Sequence, residues 1–191
     1  MSLYRQLLML MALTGATAVW AQPVELPDAP SGYSWAYAEE TMSAFLVPDG
    51  WHYKKQLKPS GTWGYFISRE NIDEAGEFRT GLTVNVVRDV PSKTGEPVAD
   101  YANAFIREAA GANTVLKKPW RMSMGPFWQF GVRTRVSDPA GGDYVTHNLA
   151  IANQDTGTLY VIVFEGPAAS WDSAWQQGEP MLKLFLLDSD I

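Results

Sequence analysis

Residues 45–51 of the chain read FLVPDGW, and this stretch decides how the first part of the protein folds. Its first three residues are an apolar run of the kind that forms a short strand. Pro48 fixes φ for a turn, Asp49 can hydrogen-bond its own backbone, and Gly50 tolerates a positive φ. The stretch therefore predicts a strand, a tight turn and, at Trp51, a large apolar anchor for the core.

Alternation of apolar and polar residues predicts further strands on both sides of this turn. The predicted strands cover residues 33–38, 42–47, 51–57, 63–68, 82–86, 115–122, 127–137, 144–152 and 159–164. Pro119 interrupts one of them, which indicates an edge strand or a bulged strand. Residues 159–164 are apolar on both faces and predict a central strand that is covered on both sides.

Two stretches predict helices. Pro97 begins the first at a favoured first-turn position, an apolar stripe of period 3.6 follows, and Gly111 ends it. The second begins near Ser170, and we expect Pro180 to kink it or to restart it as a second helix. Residues 91–96 are predicted to be a loop. Strands and helices that are segregated in this way indicate an α+β fold.

The N-terminal segment 1–21 has the features of a signal peptide. It contains the single positive residue Arg5, an apolar run at 7–19 that is too short to span a bilayer as a helix, and small residues before a cleavage point at Ala21. We expect an exported protein, periplasmic or secreted; retention of the segment as an uncleaved anchor is the alternative. Residues 22–32 are then a flexible lead-in, and residues 33–191 form a single globular domain.

The composition excludes several classes of chemistry and partner. The chain has no cysteine, so it has no disulfide, no thiolate nucleophile and no zinc–thiolate site. It has a formal net charge of −6 and no basic run, which argues against a nucleic-acid partner and against docking on an anionic membrane. After residue 21 no apolar run is long enough to cross a membrane.

Few residues suggest catalysis. The sequence DTGT at 155–158 resembles an aspartic-protease loop in its letters, but it occurs once and follows polar residues, so a hairpin turn explains it better. His147 shares a predicted strand face with apolar residues, which is typical of a core histidine. As a general base it would need an orienting carboxylate and a nucleophile from distant segments. His52 is expected to be exposed.

Two other groups could bind a ligand. Asp138, Asp143 and Asp155 lie in two loops that could share one end of the sheet, where calcium is conceivable, although solvated loop aspartates are the ordinary interpretation. We expect no cofactor and no metal. Among the aromatic residues, Trp120 beside Pro119 is the best candidate for a partly exposed ring. Trp120 and His147 are therefore the predicted ligand-binding residues.

Four segments in order carry a family resemblance. They are FLVPDGW at 45–51, GLTVNVV at 81–87, YANAF at 101–105, and LYVIVF at 159–164 leading into a tryptophan-bearing helix. In this order they resemble the PsbP-like superfamily over residues 33–187. The resemblance implies an antiparallel sheet of about six to eight strands with helices packed on its faces, an α/β/α sandwich. It also implies a non-enzymatic role in binding or assembly of larger complexes.

The sequence thus favours an exported, non-enzymatic binding or accessory protein that contacts another protein or an envelope complex. Two alternatives stay open. One is a hydrolase built around His147 and loop carboxylates. The other is a carbohydrate- or small-ligand-binding module that uses exposed aromatic residues.

Overall fold

The computed structural model describes residues 25–137 and 142–191. The predicted signal peptide and Asp138 lie outside the described residues. The strands are β1 (Tyr33–Ala38), β2 (Ser43–Pro48), β3 (His52–Leu57), β4 (Trp63–Ser68), β5 (Gly81–Val87), β6 (Thr114–Met124), β7 (Phe127–Val136), β8 (Tyr144–Asn153), β9 (Thr158–Pro167) and β10 (Leu186–Leu187). The helices are α1 (Ile72–Ala75), α2 (Val90–Thr94), α3 (Val98–Ala112) and α4 (Trp171–Lys183).

These strands form two antiparallel sheets. The large sheet has the order β3-β4-β5-β9-β8-β7-β6, and the small sheet has the order β1-β2-β10. Strand β9 lies between β5 and β8, which confirms the prediction of a central strand from its apolar residues on both faces. The fold is α+β, as predicted, but the second sheet was not foreseen.

The stretch 45–51 forms the predicted turn and also moves the chain from one sheet to the other. All residues of β2 are buried. The backbone N–H of Trp51 donates to the carbonyl of Pro48 over 3.0 Å, and Gly50 has a φ of 78°. Strand β3, which follows, belongs to the large sheet. Trp51 packs against the core only in part, and the guanidinium of Arg69 lies 5.7 Å from its ring centroid.

The two faces of the large sheet are covered differently. Helix α3 packs on one face through Val98, Ala102 and Ile106, which are buried against β7 and β8. Helix α4 and the small sheet together cover the other face. The helices therefore lie on both sides of the sheet, and the second layer is completed by strands.

The predicted loop at 91–96 is wrong, because α2 occupies most of it. Proline at the first turn favours the start of a helix, and Gly95 ends it with a φ of 77°. Strand β10 was also missed, since two residues are too few to show any periodicity.

The last helix does not restart at Pro180 as a second helix, because α4 runs on to Lys183 with Pro180 inside it; the other expectation, a kink at Pro180, stays a prediction. The final turn contains Met181 and Leu182, and both are buried in the core. Their burial holds this turn in place although Pro180 lacks an N–H. Gly178 allows close contact with the sheet, since a Cβ there would lie 2.4 Å from the ring of Phe164.

Strand β6 is an edge strand with bulges, as Pro119 predicted. Its register against β7 shifts between Val115 and Lys117 and again between Lys117 and Trp120. In residues 25–137 and 142–191, no helix combines the length and the apolar character that crossing a bilayer requires.

Candidate functional site

The pairing of β7 with β8 brings Arg133 directly opposite His147. In the same register Gly131 lies opposite Leu149, and Trp120 of β6 pairs with Gly131 from the other side. Directly opposed residues in a sheet point to the same face, so these side chains share the face that α4 covers. Trp120 and His147, which were singled out from the sequence separately, therefore line one pocket.

We call this concavity the Arg133 pocket, after the residue at its centre. It has a volume of about 250 Å³ and lies between α4 and strands β6 to β8. Its apolar walls are formed by Trp120, Leu149, Trp175 and Leu182. Lys117 and Lys183 add two more cations to the lining, and Glu179 adds one carboxylate.

The guanidinium of Arg133 is fixed by two kinds of contact. Its central carbon lies 3.9 Å from the ring centroid of Trp175 and 5.2 Å from that of Trp171. The two rings stack on each other with centroids 5.4 Å apart, so α4 presents one continuous aromatic surface to the arginine. The Nε–H of Arg133 also donates to Nδ1 of His147 over 3.3 Å. Cation–π contact and this hydrogen bond hold the guanidinium in one orientation.

Within the described part of the chain no carboxylate forms a salt bridge with Arg133, whereas Lys183, on the same pocket, pairs with Glu179 at 3.1 Å. Burial lowers the pKa of Arg133, and the more distant charges of Glu179 and Asp172 oppose this effect. An arginine side chain stays charged in proteins, so the pocket contains a partly desolvated cation.

His147 is a buried, neutral residue rather than a catalytic base. It is 6% exposed and its ring centroid lies 4.8 Å from that of Trp175. Burial, together with the nearby charges of Arg133 and Lys117, lowers its pKa to about 3. Its hydrogen-bond donor is a cation, the reverse of the carboxylate that orients a catalytic histidine. A base with so low a pKa is poorly matched to proton transfer near neutral pH.

Trp120 is the only residue of β6 that is not exposed. Its indole lies flat on Gly131, where a Cβ would lie 2.4 Å from Cζ2. The ammonium of Lys117 lies 5.5 Å from the ring centroid. Its Nε1–H is buried and, within the described residues, has no hydrogen-bond partner. The ring therefore forms a wall of the pocket, and a saccharide would have to compete with Lys117 for it.

The outer edge of the sheet continues from this pocket as a basic and apolar strip. Strand β6 exposes Val115, Leu116, Met122 and Met124, each 39–47% accessible. It also carries Lys117, Lys118 and Arg121, all exposed, and no acidic residue. In a chain whose net charge is −6, the fold has thus gathered cations at one edge.

The alternative of a shared calcium site is not supported for Asp143 and Asp155. Asp143 precedes β8 and Asp155 follows it, so they lie at opposite ends of a ten-residue strand. At about 3.3 Å per residue they are roughly 30 Å apart, and the expected shared end is wrong for these two. No group of three potential metal ligands occurs within the described residues. The hairpin predicted at 155–158 is confirmed, because it joins β8 to β9 and Gly157 has a φ of 71°.

Sequence reasoning missed Arg133 and Trp175 as members of the site. Arg133 was covered only by the predicted strand 127–137, and Trp175 only by the predicted last helix. Symmetric pairing about the predicted hairpin loop at 138–143 would place Asn148 opposite Arg133, one residue away from the observed partner His147. The sequence therefore does not indicate this pair. Nothing in the sequence indicates that α4 crosses that pair.

A second concavity lies on the opposite face of the sheet, beyond the end of α3. Glu165 on β9 lies between two hollows of about 310 and 280 Å³, both also lined by Glu77 and Phe78. Burial raises the pKa of Glu165. We call this surface the Glu165 groove.

The fold is a large antiparallel sheet with α3 on one face, α4 and the small sheet on the other, and the Arg133 pocket near one edge. Solved structures that share this fold include the following two. Cyanobacterial PsbP (CyanoP) from Synechocystis sp. PCC 6803 is similar with a TM-score of 0.52, 14% identity, and 84% of this chain and 95% of that chain covered. LpqN, involved in cell envelope biogenesis of Mycobacterium tuberculosis, is similar with a TM-score of 0.52, 9% identity, and 81% and 90% coverage.

The chain therefore has the PsbP-like fold, which the order of its segments predicted. No protein-family model matches the chain, and no curated protein matches it. Identities of 9–14% establish the shared fold alone.

Proposed function

We propose that this protein is an exported, non-enzymatic accessory protein that binds an acidic segment of a protein partner in the cell envelope. The observation that carries the proposal is the edge strand β6, which is exposed, apolar and basic in an acidic protein. Charge complementarity steers partners and fixes their register, and exposed apolar side chains beside it supply contact area. The signal-peptide features of residues 1–21 support export, and LpqN, which shares the fold, is involved in cell envelope biogenesis.

The two alternatives have less support. A hydrolase would need His147 as a base, but the residue is buried, neutral and hydrogen-bonded to a cation. A carbohydrate-binding module would need an open aromatic platform. Trp120 has one face against Gly131 and a lysine near its ring, and a pocket of about 250 Å³ is smaller than most drug-sized ligand sites.

The experiment is a cross-linking pull-down from the native envelope fraction with two matched double charge reversals. Lys118→Glu with Arg121→Glu removes cations of β6, whereas Arg79→Glu with Lys93→Glu removes exposed cations elsewhere. We expect the wild type and the control pair to recover the same acidic protein, and the β6 pair to lose it. Recovery should weaken at high salt.

Two outcomes would overturn the proposal. One is recovery of the same partner by both double variants at equal yield. The other is loss of all recovery after nuclease treatment or after removal of anionic lipid, which would assign the strip to nucleic acid or to membrane instead.

A further inference from the structure

The unused hydrogen-bonding capacity of Arg133 has a defined geometry. A guanidinium has five N–H donors in a planar fork. The Nε–H is taken by His147, and one face of the plane is covered by Trp175. These contacts leave the two terminal nitrogens, and no carboxylate in the described residues forms a salt bridge with them. The free part of the fork is the part that carboxylates bind in a bidentate manner.

The surroundings of Arg133 make an empty fork unfavourable. Removing a charge from water without a partner costs free energy. The neighbouring aromatic rings replace only part of the hydration free energy that the guanidinium loses. Glu179 lines the same pocket but pairs with Lys183 instead. A fold that preorganises a cation and leaves it without a counterion has the hallmark of a recognition site for an anion.

The pocket walls restrict the anion further. Trp120, Leu149 and Leu182 form apolar walls, so the part of the ligand behind its charged group must be apolar. Glu179 pairs with Lys183, so Arg133 and Lys117 are the cations of the lining that form no salt bridge within the described residues, and the planar fork of Arg133 matches one carboxylate. A volume of about 250 Å³ fits one side chain or one chain terminus.

We propose that the Arg133 pocket binds a single carboxylate on a short apolar stem, held in a bidentate pair by the terminal nitrogens of Arg133. This inference rests on the proposed function, in which the carboxylate belongs to the acidic segment of the partner. The chemistry alone would also admit a free branched-chain carboxylic acid, and the experiment separates the two sources.

The test uses the purified protein and nuclear magnetic resonance of its indole N–H groups. The probes are 4-methylvalerate, its uncharged amide, and a short acidic peptide that ends in leucine with either a free or an amidated C-terminus. We expect 4-methylvalerate to shift the Trp120 and Trp175 signals saturably and the amide to leave them unchanged. If the source is a peptide terminus, the free-acid peptide binds at least about tenfold more tightly than both 4-methylvalerate and its own amidated form.

Variants identify the residue. Arg133→Gln should weaken binding by at least about tenfold, because a charge-assisted hydrogen-bonded pair is lost. Arg133→Lys should restore only part of it, since an ammonium lacks the fork. Arg135→Gln is the matched control, because Arg135 is two residues away on the same strand face and exposed. Equal binding of acid and amide by the wild type would overturn the proposal even if no variant folds.

The two proposals fail separately. If 4-methylvalerate binds through Arg133 but the β6 charge reversals still recover the partner, the edge-docking function is wrong and the carboxylate site stands. If the partner requires β6 and Arg133→Gln binds every probe as well as the wild type does, the carboxylate site is wrong and the docking function stands.

Discussion

The Arg133 pocket and the Glu165 groove both contain a partly buried charge, but they treat it in different ways. Arg133 is stacked on Trp175 and hydrogen-bonded to His147. Within the described residues Glu165 has no salt bridge, and burial raises its pKa. A carboxyl can relieve an unfavourable site by taking up a proton, whereas a guanidinium cannot lose one at any ordinary pH. The comparison shows that Arg133, which stays charged, needs the contacts with Trp175 and His147, whereas Glu165 can become neutral and needs no such contacts.

The largest expected effect concerns His147, whose neutral state lets Arg133 lie close to it. Its pKa is lowered from 6.5 to about 3 in the folded protein. Below pH 6.5 the unfolded chain therefore binds a proton that the folded protein does not, so stability is lost as the pH falls towards 3. Each pH unit costs up to about 1.4 kcal/mol of unfolding free energy, on the order of 5 kcal/mol in all as an upper bound.

The measurement for His147 is the urea midpoint of the wild type and of His147→Gln between pH 7 and pH 4. We expect a flatter pH dependence in the variant, because glutamine can still accept from Arg133 and has no proton to gain. Lys117 and Glu179 also face this site, so both proteins must be compared at the same ionic strength. An exposed change, His52→Gln, should keep the slope of the wild type; an equal slope in His147→Gln would contradict the expectation.

The second-largest effect is expected at Gly178 in α4, the helix that covers the Arg133 pocket but not the Glu165 groove. In Gly178→Ala the new methyl group would lie 2.4 Å from the buried ring of Phe164, so α4 must move away from the sheet. We expect a loss of about 1–3 kcal/mol in unfolding free energy and weaker binding of 4-methylvalerate. Gly111→Ala is the control, since its Cβ meets nothing within 4 Å and helical alanine is favoured. Unchanged stability in Gly178→Ala would mean that the ring of Phe164 moves instead.

The smallest effect is expected at Glu165. Its pKa is raised in the folded protein, so folding disfavours the ionised carboxylate. The stability contributed by the protonated carboxyl is present at low pH. It is lost as the pH rises above the pKa that Glu165 has in the unfolded chain. Glu165→Gln should therefore raise the urea midpoint at pH 7 and have little effect at pH 4. The exposed Glu77→Gln should change neither value, and a lower midpoint for Glu165→Gln at pH 7 would indicate that the carboxylate has a stabilising partner.

Much of the large sheet could be predicted because its strands alternate cleanly. Strands were predicted at residues 82–86 and 127–137, and the structure has β5 at Gly81–Val87 and β7 at Phe127–Val136. The small sheet was missed for a physical reason. Every residue of strand β2 is buried, so its sequence shows no alternation of apolar and polar residues that would indicate which strand it pairs with.

The site could be predicted only in part, because it depends on tertiary contacts between distant segments. Trp120 was chosen because it lies beside Pro119 on an interrupted strand, and His147 because it is one of the few residues that suggest catalysis. What joins them is a register between strands and the placement of α4. Trp171 and Trp175 are four residues apart on α4, and this spacing builds the surface against which Arg133 stacks. Helical periodicity reports which face is covered but not what covers it.

The exposed edge at β6 has a consequence for copies of the protein itself. An open strand edge is a template on which a second edge can pair, and such pairing leads to aggregation. Two β6 edges brought together would place Lys117, Lys118 and Arg121 of one copy near the same cations of the other. Pro119 further interrupts the edge by lacking an N–H. The cations that attract an acidic partner thus also disfavour pairing between two β6 edges, because they repel each other. This repulsion weakens only where salt screens the cations or the partner neutralises them.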